Sequence, residues 1–125
     1  MKHRILIVDD ESGIVEEVRD FLTEEGYEVY TADTGKDGIR LIENVRPDLV
    51  LLDMKLPDMS GIEVLRFSKQ RFPRVKVLVN TGYIDQKIID ESCELGRDAF
   101  LQKPFDLERL REEILPLLGP AAERE

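Results

Sequence analysis

A chain of 125 residues fits one domain and leaves little room for a second. Its 18 basic and 27 acidic residues give a net charge of −9, which argues against a basic nucleic-acid-binding face. The single cysteine, Cys93, excludes an internal disulfide, and no apolar stretch approaches the roughly 18 residues that span a bilayer.

The first apolar run, Ile5-Leu6-Ile7-Val8, predicts a strand over 4–8 that ends on Asp9-Asp10. A helix pattern follows over 12–25, where Ile14, Val15, Val18, Phe21 and Leu22 recur at helical spacing and Gly26 sits at the expected C-terminal cap. A second strand is predicted over 28–32 and a second helix over 35–45, weakened by Gly38 but faced by Ile39, Leu41 and Ile42. Leu49-Val50-Leu51-Leu52 marks a third strand over 48–53 that closes on Asp53, with a helix over 61–71 beyond it. Val77-Leu78-Val79 marks a fourth strand over 75–80, followed by Thr81 and a helix over 84–95. The fifth strand, 98–102, carries Phe100-Leu101 and leads into Lys103-Pro104. The last helix, 106–118, has Leu107, Leu110 and Ile114 on one side, then Pro116, which is expected to end or kink it. A domain over 1–119 is therefore expected, with 120–125 as a frayed tail or the start of a linker. His3 reads as a solvated N-terminal residue. Because the N-terminus enters a strand at once, no signal peptide is expected, and the compartment expected is cytoplasmic.

Runs 5–8, 49–52 and 77–79 are apolar throughout, as strands covered on both faces are. Strands alternating with helices imply a doubly wound α/β sheet of five parallel strands with helices on both faces. The flavodoxin-like order 2-1-3-4-5 would set strand 1 beside strand 3 at the switch point, and ligands of such sheets bind beyond the carboxyl ends of the strands. Asp9, Asp10, Asp53, Thr81 and Lys103 would then converge. Carboxylates about 4 Å apart repel by about 4 kcal/mol per pair at an effective dielectric near 20. A cation makes them tolerable together, and an all-oxygen set suits magnesium. The constellation reads as a metal-assisted phosphate site. Each residue also has a plainer reading: Asp10 fits a helix N-cap near Ser12, Asp53 a turn cap before Pro57, and Thr81 an ordinary strand-end hydroxyl.

Ile7-Val8-Asp9-Asp10, Leu51-Leu52-Asp53-Met54-Lys55-Leu56-Pro57-Asp58-Met59-Ser60-Gly61, Thr81-Gly82 and Phe100-Leu101-Gln102-Lys103-Pro104-Phe105 together resemble the receiver domain of two-component response regulators, over nearly the whole chain. Asp53-Met54-Lys55, Thr81-Gly82-Tyr83 and Glu91-Ser92-Cys93-Glu94-Leu95-Gly96 resemble the stand-alone phosphorelay type. Arg97 departs from the Ala frequent in the family, outside the acid pocket. The resemblance implies that Asp53 is the phospho-acceptor, a nucleophile taking a phosphoryl group from a phosphohistidine donor. It implies Mg²⁺, for which Mn²⁺ can substitute, held by Asp10, Asp53 and the backbone carbonyl of Lys55, with Asp9 acting through a water. It gives Lys103, across a cis bond to Pro104, to the Asp53 carboxylate and later to the phosphoryl oxygens. Thr81 and Phe100 become a switch pair that alters the surface around the fourth helix, fifth strand and fifth helix, while Lys55 and Tyr83 tune phosphoryl lifetime.

The implied partner is a histidine kinase or histidine phosphotransferase, with a downstream protein target and no direct nucleic-acid or membrane contact. The expected state is a monomer or a phosphorylation-dependent dimer. The docking surface expected comprises Ser12, Gly13, Ile14, Val15, Leu56, Pro57, Tyr83, Ile84, Pro104 and Phe105. The competing enzyme reading, an aspartate-nucleophile hydrolase of small phosphate esters, usually has an Asp-x-Asp pair and a cap domain. Asp53-Met54-Lys55 lacks the second acid. The chain is thus expected to be a signalling switch whose only catalysis is its own phosphorylation and slow dephosphorylation. A flavodoxin-like cofactor domain is disfavoured because Asp9-Asp10-Glu11 stands where a Gly-rich phosphate loop would be.

Overall fold

The computed structural model describes residues 2–82 and 85–119. Tyr83, Ile84 and the expected tail 120–125 lie outside the described residues. Among the described residues, β1 (Arg4–Val8), β2 (Glu28–Ala32), β3 (Leu49–Leu52), β4 (Lys76–Thr81) and β5 (Ala99–Gln102) alternate with α1 (Ser12–Glu24), α2 (Gly35–Val45), α3 (Gly61–Arg71), α4 (Gln86–Glu94) and α5 (Leu107–Leu118). Every strand pair is parallel and the order is β2-β1-β3-β4-β5, the doubly wound order expected from the alternation.

Strand alternation divides the interior into two cores. Ile5, Ile7, Leu49, Leu51, Leu78 and Leu101 pack with Val18 and Leu22 of α1 and with Leu110 and Ile114 of α5. Leu6, Val8, Val50, Leu52, Val77 and Val79 pack on the other side with Ile42 of α2 and Ile62, Val64 and Leu65 of α3. Residues of β1, β3 and β4 are buried on both faces, which is why their sequences read as unbroken apolar runs.

The helix ends follow local chemistry. Thr34, Ser60, Asp85 and Asp106 cap α2, α3, α4 and α5, each side chain accepting a backbone N–H from the first turn. Gly26, at φ 101°, follows α1 as the cap position predicted. Gly38 is not merely a weak spot in α2: a Cβ there would lie 3.0 Å from both methyls of Val8, so its absence lets the helix close on β1. Pro116 does not end α5, which runs on to Leu118. It stands in the last turn, where a missing N–H and ring crowding disturb few remaining bonds. His3 is half-buried and stacks on Tyr27 with ring centroids 6.4 Å apart, rather than standing in solvent.

The β3–α3 loop is tied back to α2 by Asp58, whose two carboxylate oxygens accept the Gly35 and Lys36 amides at 2.7 and 2.9 Å. Those bonds at a helix N-terminus hold the Asp58 carboxyl below its ordinary value of 3.8. A carboxyl depressed in the folded state contributes stability above its unfolded pKa and loses it as pH falls through the folded value. Asp58→Asn should therefore lower Tm at neutral pH. The gap to the parent should close progressively as pH falls below 3.8, as thermal melts across that range would record.

Candidate phosphate and metal site

Backbone ladders continue past the strand ends: Asp9 donates its N–H to the Ala32 carbonyl, Asp53 to Val8 and Lys103 to Thr81, each at 3.0 Å. The alternation therefore carries on for one more residue. Asp9 continues the Ile5 and Ile7 side of β1, Asp53 the Leu49 and Leu51 side of β3, and Lys103 the Leu101 side of β5. All three side chains consequently emerge on the face covered by α1 and α5. The Lys103 Nζ donates to Asp9 Oδ2 at 2.7 Å and to Asp53 Oδ2 at 3.2 Å.

A third acceptor was not foreseen. Lys103 also donates to Glu11 Oε1 at 2.7 Å. Glu11, not Asp10, is the N-cap residue of α1, yet its carboxylate caps nothing; the Glu11 amide instead donates to Asp9 Oδ1 at 2.9 Å. A third consecutive acid, Asp9-Asp10-Glu11, directly before the first helix was the available signal. Asp53 also keeps part of its plainer role, since Oδ1 accepts the Lys55 amide at 3.2 Å.

Asp9, Asp10 and Asp53 offer carboxylate oxygens within 4.8 Å of one another, Asp9 and Asp53 buried and Asp10 exposed. With Glu11, four formal negative charges gather around the Lys103 ammonium, and they outnumber the cations even when exposed Lys55 at the cavity rim is counted. Burial pushes the Asp9 carboxyl above its ordinary value, against the opposing Lys103 and Glu11 hydrogen bonds. For Lys103, burial acts downward, but hydrogen bonds to Asp9 and Glu11 and the charges of Asp9 and Asp53 outweigh it and hold the ammonium above its ordinary value. A buried acid whose ionised form is still under-compensated, among all-oxygen donors, fits a hard divalent cation such as Mg²⁺.

The site opens into a cavity of about 480 Å³ lined by Asp10, Glu11, Asp53, Lys55, Leu56, Pro57, Thr81 and Gly82. Thr81 is buried at the end of β4 and Lys55 is exposed at the rim. At Gly61 a Cβ would run into the Asp53 carbonyl and Met54 Cα, so only glycine lets α3 start so close to the acid. The Lys103–Pro104 bond is cis. Phe100 is half-buried on the opposite face from Lys103, against the α2/α3 core.

The expected docking patch is smaller than its sequence implied. Leu56 is buried at 8% exposure and is withdrawn from it, because its side chain completes the α3-side core. Ile14, Val15 and Phe105 are half-buried and pack partly on the α1/α5 core, while Ser12, Gly13, Pro57 and Pro104 are exposed. Among the described residues no helix is long and apolar enough to cross a membrane.

Comparison with known proteins places this geometry. The family model described as response regulator receiver domain matches residues 5–115. The chain is 40% identical to sporulation initiation phosphotransferase F of Bacillus subtilis (strain 168), over 94% of its own length and 97% of that protein. It is also 40% identical to a cyclic di-GMP phosphodiesterase of Thermotoga maritima, but spans only 29% of that relative. Among solved structures, a CheY-like receiver domain protein of Methanospirillum hungatei JF-1 superposes with a TM-score of 0.91 at 39% identity, covering 93% of each chain.

The electrostatic balance of the site can be tested. Lys103→Met removes the ammonium from among buried acids and should cost about 3–5 kcal/mol at low divalent concentration. Added Mg²⁺ should recover part of this, so the Mg²⁺-induced rise in Tm should be larger in the variant than in the parent, as calorimetry would show.

Proposed function

The chain belongs to the response regulator receiver domain family, and on that premise we propose that Asp53 is its phospho-acceptor and that Mg²⁺ supports the transfer. The protein is a phospho-acceptor signalling switch; the small-ester phosphohydrolase reading finds no support. The observation that carries the assignment is the Lys103 ammonium bridging Asp9 to Asp53, an acid that lines the cavity with Asp10 and Glu11.

Asp53 supplies the nucleophilic oxygen. A new O–P bond forms as the P–N bond of a phosphohistidine donor breaks, and the electron pair returns to the imidazole nitrogen. Asp9, Asp10, Asp53 and the Lys55 carbonyl would hold Mg²⁺, which when bound neutralises charge on the approaching phosphoryl oxygens. Lys103 already has all three ammonium hydrogens engaged by carboxylates. Its Asp53 contact is the longest of the three, and its Glu11 contact is the most solvent-exposed. Either can be exchanged for a phosphoryl oxygen while the Asp9 contact keeps the side chain in place. The Thr81 hydroxyl and the amides near Met54 and Gly82 would take the remaining oxygens, so positioning and charge supply the catalysis without a general base. Phosphorylation and slow dephosphorylation of its own Asp53 are the only chemistry this reading gives the protein.

Incubation with acetyl phosphate and Mg²⁺ should add one phosphoryl group by intact mass, and EDTA or Asp53→Asn should each abolish it. The same adduct on Asp53→Asn protein would overturn the assignment.

We further infer a relay role, with a histidine kinase or histidine phosphotransferase as donor or acceptor. The Bacillus subtilis relative is named a phosphotransferase and is covered almost end to end. Exposed Lys55, at the cavity rim, would obstruct the in-line approach of water, and Gly13, Ile14, Pro57, Pro104 and Phe105 would form the docking surface. Lys55→Asn should then shorten the phosphoryl lifetime severalfold, followed by intact mass after donor removal. An unchanged lifetime would remove the support for occlusion.

A further inference from the structure

The β4–β5 register carries the site to a second region of the fold. Phe100 pairs with Val79 and Gln102 with Thr81. Paired residues of parallel strands, and residues two apart along one strand, share a face. Thr81, Val79 and Phe100 therefore lie on the same side of the sheet, the side on which Ile88 of α4 and Leu95 pack against the α2/α3 core. Thr81 lines the acid cavity, and Phe100 is one strand away from it.

Arg97 joins that ring to α4. Its guanidinium carbon lies 4.9 Å from the Phe100 ring centroid. Its Nη1 donates to the Ile89 carbonyl at 2.6 Å and to Ser92 Oγ at 2.5 Å. Ser92, fully buried, in turn donates from Oγ to the Ile89 carbonyl at 2.9 Å. The Arg97 amide donates to the Ser92 carbonyl at 3.1 Å. A guanidinium whose hydrogens are fixed by two acceptors presents its plane in one orientation. The ring is thus held by a side chain that is itself bonded to the backbone of α4.

We propose that Arg97 is a positioning residue that holds the Phe100 ring on α4 in the unphosphorylated protein and so opposes phosphorylation at Asp53. The proposal rests on the phospho-acceptor reading of Asp53. It also rests on the expected Thr81–Phe100 switch, in which a ring displaced toward Thr81 would give up its 4.9 Å contact with the guanidinium. By linkage, a contact that is lost on phosphorylation weakens binding of the phosphoryl group by the same factor that the phosphoryl group weakens the contact. For a half-buried guanidinium on a phenyl ring the factor is about three- to tenfold.

The test uses ¹³C-labelled phenylalanine and titration with beryllofluoride and Mg²⁺. In metal-free protein, Arg97→Lys keeps the charge and can still reach the Ile89 carbonyl but lacks the planar face; it should shift the Phe100 ring resonances while α4 amides stay protected from exchange. Arg97→Ala should bind beryllofluoride about three- to tenfold more tightly than the parent, with a smaller gain in Arg97→Lys. Neither gain should survive in a Phe100→Leu background, which keeps bulk and removes the ring. Unshifted Phe100 resonances, or an equal gain in Phe100→Leu protein, would overturn the proposal. Parent protein that fails to bind beryllofluoride would count against the Asp53 reading, whereas parent binding without any gain in the variants counts against Arg97 alone.

Discussion

Everything at the carboxyl end of this sheet is arranged around one ammonium group. Lys103 is among the last residues of the fold to be supplied by the chain, yet it reaches acids 94 and 50 positions earlier. With 9% of its side chain exposed, and Asp9 and Asp53 at 2% and 7%, the group acts where charge interactions are far stronger than at the surface. That burial raises two opposed demands. The ammonium must stay charged, which the acids ensure; the acids together still outnumber it, which leaves the pocket short of positive charge. A site balanced in this way is stable enough to fold and unsatisfied enough to accept a divalent cation. Glu11 shares the ammonium from the rim, with 54% of its side chain exposed. Water can replace it at little cost, so it is the contact that Lys103 would give up most easily to a phosphoryl oxygen in the reading proposed above.

The same strands serve two purposes because successive side chains point to opposite faces. On the α1/α5 side they end in Asp9, Asp53 and Lys103. On the α3/α4 side β4 and β5 carry Val79, Thr81 and Phe100. The acid cluster and the Phe100 side are therefore separated by one sheet thickness, and Thr81 belongs to both, lining the cavity while lying on the same face as Phe100. In the reading proposed above, no long pathway is required: one hydroxyl reoriented toward the phosphoryl group would change the packing of the neighbouring layer.

Much of this was legible in the chain. The strands lie within one residue of the expected bounds because β1, β3 and β4 are covered on both faces and leave no polar interruption. Asp9 and Asp53 were legible for the same reason, as the first polar groups after apolar runs that had to stop, and Lys103 as the cation that follows Phe100-Leu101-Gln102 at the end of the last strand. What was missed depends on distance along the chain or on packing geometry. Glu11 read as one more acid, because its partner is 92 residues away. Leu56 was assigned to the docking patch with its neighbour Pro57, although the loop folds its side chain into the core. Arg97 read as a neutral departure because nothing in the sequence shows Phe100 three positions later folding beneath it. Gly38 read as a defect for want of Val8 beside it.

The element on which an output would act is also the least anchored. Only Ser92 of α4 is buried, against five residues of α3 and two of α1. Apolar burial thus contributes little to holding α4 in place, and polar contacts carry a larger share: the Asp85 cap at the start, the Arg66–Glu91 pair at 3.4 Å toward α3, and the Arg97 bond to the Ile89 carbonyl. Elements with few buried apolar contacts open at lower free energy than the core. A helix held mainly by groups that can be exchanged for water is the one a small change beneath Phe100 can move, while α1, α3 and α5 hold the acids of the site in place. The sheet therefore sets a closely packed acid site beside one weakly packed helix, and in the reading proposed above the line between them runs through Thr81, Phe100 and Arg97.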